Sequence, residues 1–239
     1  MGDEDLRGLE RSAGADPEAA ARHLVARVRA GTLPSERLGL LAYLGDPTAL
    51  LAWDALGQAP PPSWEEVEAA LQARIKRPSS LKAATERRLR ARFGAGLARF
   101  GDEASVRVAL AAAADAGAAG VPREVDAPAW ALVRGWVAGE RRDLEDYELA
   151  ARAIEEGFVA GGEAQPGRAA LVWAVRAAGA RDPRAAADSA GLALHWLALS
   201  RLPSDRPAAE ASPAALRAAW EEALARIRPE LLDWVLGEG

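Results

Sequence analysis

Apolar side chains recur along this chain at three- and four-residue intervals, in stretches bounded by Gly, Pro and Asp. That is the period of an amphipathic helix; the alternation that marks strands, and runs of valine, isoleucine and aromatics, are missing. The pattern predicts helices near 4–13, 17–30, 35–44, 47–56, 64–76, 80–100 and 103–116. In the second half it predicts 127–138, 144–160, 167–178, 183–201 and 213–235, the last kinked or broken at Pro229. The expected fold is all-α: short antiparallel helices stacked as a helical-hairpin array or irregular α-solenoid.

The boundaries are set by local chemistry. Gly closes a helix in the left-handed conformation, and Asp-Pro opens the next as N-cap and N1. Gly14-Ala15-Asp16-Pro17, Gly45-Asp46-Pro47 and Gly179-Ala180-Arg181-Asp182-Pro183 follow that rule, and Phe100-Gly101-Asp102-Glu103 follows it without the proline. Ser63-Trp64-Glu65-Glu66 has the capping-box pattern, after the stiff connector Pro60-Pro61-Pro62. The junction aspartates are spaced loosely as multiples of about 28 residues, without convincing repetition of residue identity. Gly117 to Asp126 is the candidate seam between two helical halves, 1–118 and 119–239, the alternative being one continuous domain.

Arg29-Ala30-Gly31-Thr32-Leu33-Pro34-Ser35-Glu36-Arg37-Leu38, running into Leu41-Ala42-Tyr43-Leu44-Gly45-Asp46-Pro47, resembles a helical module in proteins of GC-rich bacteria. The resemblance covers about residues 20–57 and implies helical packing without any particular activity.

Composition narrows the function classes. There is no cysteine, which removes disulfides and thiolate chemistry and suits a reducing compartment. The acidic start Met1-Gly2-Asp3-Glu4-Asp5 does not resemble a secretory signal, so a cytoplasmic location is expected. The apolar stretch Ser189 to Ser200 is too short for a membrane span. Alanine makes up about a quarter of the chain, a strong helix former that lets helices approach closely. Of the 30 basic residues only Lys76 and Lys82 are lysines. A net charge of -5 and a pI near 5.3 argue against a surface built as a whole for nucleic acid.

Charge is nonetheless unevenly spread. Arg74, Lys76, Arg77, Lys82, Arg87, Arg88, Arg90, Arg92 and Arg99 face a single acid, Glu86. On a helix, Leu89, Phe93, Leu97 and Phe100 share a stripe, with Arg88, Arg92 and Arg99 on a face roughly 120° away. Arg74, Lys76, Arg77, Lys82, Arg88, Arg92 and Arg99 are the candidate polyanion surface, and a solvated or internally neutralised face is the simpler alternative. Aromatic interleaving, expected for single-strand binding, is missing there.

Other candidates are weaker. Glu140 to Glu148 offers carboxylates at i and i+3, suited to a hard cation, but acids in a first helical turn are what the helix dipole favours. His23 and His195 lie in apolar helical contexts without carboxylates at ligand spacing, so no metal is expected. No Gly-x-Ser-x-Gly, phosphate cradle or other cofactor motif occurs, and no residue set supports a catalytic assignment. Eight tryptophans stand against three phenylalanines, the volume an alanine-rich core needs. Trp220, Leu224, Ile227, Leu231 and Trp234 form an apolar stripe on the last helix, which either docks on the body or recruits a partner.

Three functions are therefore expected in descending order. The first is a non-enzymatic helical interaction or scaffold protein whose partner is another protein. Nucleic-acid or other polyanion binding through 74–99 is second, and a ligand or enzymatic pocket between helices is third.

Overall fold

The computed structural model describes residues 16–59, 93–117, 126–161, 165–202 and 211–237. Among them the fold is all-helical, with no strand. The α-helices are α1 (Pro17–Arg29), α2 (Ser35–Tyr43), α3 (Pro47–Ala55), α4 (Gly101–Gly117), α5 (Ala127–Val137), α6 (Leu144–Gly161), α7 (Pro166–Ala178), α8 (Pro183–Ser200) and α9 (Pro213–Leu236). Residues 93–97 are also helical and run into the 3-10 helix Ala98–Phe100.

The starts and stops are those of the sequence pattern. The side chains of Asp16, Asp46 and Asp182 accept from the N–H groups of Glu18 (3.0 Å), Ala49 (2.8 Å) and Ala185 (2.8 Å), each ahead of a proline in the first turn. After α1 and α2 the chain turns through Gly31 (φ 72°) and Gly45 (φ 79°). The next residue then donates back across the helix end, Thr32 N–H to the Arg27 carbonyl and Asp46 N–H to the Leu41 carbonyl, both at 3.0 Å. This Schellman closure satisfies carbonyls that would otherwise be orphaned.

The chain divides into two compact units. The smaller comprises α1, α2, α3 and the end of α9 from Arg228. Leu33, Leu38, Leu40, Leu41 and Leu44 are buried in it, as are Leu231 and Val235 of α9. Arg228 Nε donates to the Leu44 carbonyl (2.9 Å), and Arg27 Nη2 to the Leu236 carbonyl (2.8 Å), so arginines cap the C-terminal ends of two helices.

The larger unit holds 93–100, α4 to α8 and α9 as far as Ile227. Its centre is the mutual packing of α4, α7 and α8, whose buried faces are mostly alanine, with Val106, Val108, Leu171, Val175, Leu194 and Leu197 among them. Only four residues, 179–182, join α7 to α8, so the two pack as an antiparallel hairpin. Close approach is literal at Gly167, where a Cβ would lie 2.8 Å from the Gly117 Cα.

Helix α9 runs from Pro213 to Leu236 with Pro229 inside it, so the helix is not broken there; the proline falls beside the Ile227/Arg228 division between the units. Helix α4 shares a core with α7 and α8 within the larger unit.

Candidate partner-docking site

Helix α5 carries apolar side chains on two stripes. Ala129, Val133 and Trp136 are buried, and α5 packs on α7. Pro128, Ala131, Leu132 and Gly135, at i, i+3, i+4 and i+7, line an open groove of about 550 Å³. The opposite wall is Asp146, Leu149 and Ala150 of α6, at i, i+3 and i+4. Both helices pack on α7 more than on each other, which leaves the groove between them uncovered among the described residues. Leu149 is 56% exposed, the most exposed large apolar side chain among the described residues.

The end of the groove is charged. After α5 the chain turns at Gly139 (φ 92°), and Glu140 N–H donates back to the Gly135 carbonyl at 2.8 Å. This turn places Glu140 and Arg142 at the groove, 3.9 Å apart. Arg141 leaves it: its guanidinium stacks 3.8 Å from the Trp136 ring centroid and donates to the Trp136 carbonyl. Asp146 lies in the first turn of α6, where its charge suits the helix dipole, and makes no ion pair among the described residues.

A second, smaller cavity of about 360 Å³ is bordered by Tyr147, Glu148, Arg152 and Arg176. Its charges are matched: Arg152 lies 3.6 Å from Glu148, and Arg176 reaches Glu155 at 2.8 Å while stacking on Trp173. The Tyr147 hydroxyl is buried without a hydrogen-bond partner among the described residues.

Of the candidate polyanion surface, Arg74, Lys76, Arg77, Lys82, Arg88 and Arg92 lie outside the described residues. Arg99 is exposed on the 3-10 helix. The stripe on α9 is not a free interface. Trp220 is buried, donates its indole N–H to His195 Nδ1 (3.3 Å) and meets Phe93 edge-on at 5.9 Å. Leu224, Ile227 and Leu231 are buried, and Trp234 is half-buried beneath the Arg37 guanidinium at 4.8 Å. The physical reason is volume: alanine-lined helices leave gaps that these large side chains fill.

His23 and His195 are both buried, and His195 serves as an acceptor within the core. Among the described residues no three His, Asp or Glu side chains are grouped to hold a metal ion, the acidic stretch 140–148 included. No described helix is long and apolar enough to cross a membrane.

The sequence pattern did not disclose two polar clusters. Asp126 and Arg168 form a buried ion pair, the guanidinium Nε donating to both carboxylate oxygens at 3.1 Å. Asp115 receives Arg201 on one oxygen and Arg226 on the other, the latter at 3.1 Å. Partners far apart in sequence give no local signal. The stacks of Arg134 on Trp130 and Arg176 on Trp173 were accessible, being spaced at i+4 and i+3.

No protein-family model matches the chain, and no curated protein or solved structure matches it either.

Proposed function

We propose that this chain is a helical protein-interaction module, a scaffold or adaptor without catalytic activity of its own. The observation that supports it is the α5/α6 groove: two mainly apolar helix stripes at interaction spacing, uncovered among the described residues. The conspicuous polar groups of the larger unit are engaged in internal pairs, Asp126 with Arg168, Asp115 with Arg201 and Arg226, and Trp220 with His195. Such groups hold helices together and leave little converging polar chemistry for a substrate.

Polyanion binding is the second reading, supported by the nine basic residues against one acid between Arg74 and Arg99. Affinity capture of the full chain from its native lysate, washed at low and high salt, separates the two. A stoichiometric protein partner retained at high salt is the expected result. Nucleic acid lost at high salt, and lost in an Arg88→Glu/Arg92→Glu variant, would replace the first reading with the second.

A further inference from the structure

Resting on the interaction reading above, we infer that the α5/α6 groove receives a cationic amphipathic helix of a partner protein. The shape of the groove selects a helix. Its walls are positions i, i+3, i+4 and i+7 of α5 and i, i+3 and i+4 of α6, the spacing by which one helix lays its apolar face between two others. Pro128, Ala131, Gly135 and Ala150 are small, so an incoming backbone can approach closely, while Leu132 and Leu149 supply the larger apolar contacts. An extended peptide would need an open strand edge, and no strand occurs among the described residues.

Charge selects the sign of the occupant. The charged residues that line the groove are Glu140 and Asp146 against Arg142. Arg141 is held on Trp136, Arg142 lies near Glu140, and Glu148 is met by Arg152. Asp146, a wall of the groove itself, stays without an ion pair among the described residues. A lysine or arginine flanking the partner's aliphatic stripe would meet it, and the same acids repel nucleic-acid phosphates.

The test uses the full chain and two labelled helical peptides of about five turns, one built of Leu and Lys and the other of Leu and Glu. Fluorescence anisotropy is expected to show the Lys peptide binding at least about tenfold more tightly, a preference that Asp146→Lys inverts. Asp54→Lys, an equal change of net charge on α3, should leave the preference intact. Leu149→Asp should weaken binding about tenfold or more. Leu149 is exposed, so that variant should fold; circular dichroism checks it, and Ala131→Arg is the second block of the groove. A preference unaltered by Asp146→Lys, altered as much by Asp54→Lys, or insensitive to both groove variants overturns the assignment. Self-association that Leu149→Asp abolishes would give the groove to a second copy and overturn it too. A lysate partner captured equally by wild type and Leu149→Asp keeps the interaction reading and ends this one. Groove-dependent peptide binding without any captured partner does the reverse.

Discussion

At the scale of single residues the largest liability is the ion pair of Asp126 and Arg168, both more than nine-tenths buried. Desolvating two charges costs about as much as their attraction returns, so the pair adds little net stability, but removing Asp126 takes away the carboxylate that accepts from the Arg168 Nε. Space for it is cut by Gly157, where a Cβ would stand 2.8 Å from the Arg168 Nη2. Asp126→Ala is expected to destabilise the chain by about 3–5 kcal/mol in urea denaturation. The double change Asp126→Leu/Arg168→Met should recover most of that, because the two charges of the pair are removed together. A double variant as unstable as the single one would mean that the pair holds the two helix starts by a contact that apolar packing cannot replace. None of this was readable from the sequence, since 42 residues separate the partners. Asp126 stands directly before α5 and two residues ahead of Pro128, yet its side chain makes no capping bond and pairs with Arg168 instead.

At the scale of elements, what was legible follows from rules that act within a few residues. Aspartate caps, first-turn prolines and closing glycines are local, so α1, α2, α3, α5, α7 and α8 begin at or within a residue of their expected positions. Whether α9 tolerates an internal proline, and which of its faces is covered, depends on helices far away in sequence. Its tryptophan stripe was legible as apolar but not as buried. The docking groove was missed for a related reason: Pro128, Ala131, Leu132 and Gly135 form no strong apolar stripe on their own, and gain meaning only beside Leu149. The glycine rule can be checked where nothing else intervenes. A Cβ at Gly31 would touch nothing within 4 Å, so only the positive φ opposes it. Gly31→Ala should therefore cost about 1–2 kcal/mol, with Gly31→Asn costing less, measured by thermal unfolding. A cost for alanine near zero would show that α1 can end another way.

At the scale of the whole molecule, α9 is the element that belongs to both units, its residues through Ile227 to the larger and those from Arg228 to the smaller. In the smaller unit it supplies Leu231 and Val235 to the core, the Arg228 bond to the Leu44 carbonyl, and Trp234 as the seat of Arg37. Helices as short as α2 and α3 have little stability in isolation and depend on such packing. The larger unit keeps its α4, α7 and α8 centre without those residues, and keeps Trp220 in its pocket against Phe93 and His195. Ending the chain after Ile227 is thus expected to accelerate amide hydrogen exchange throughout α1, α2 and α3 while α4, α7 and α8 stay protected. Exchange that rises equally in both sets of helices would show that the two units unfold together, with α9 as the common support of one cooperative fold. Protection retained in α1 to α3 would show instead that the leucines of α2 close that core without help from the far end of the chain.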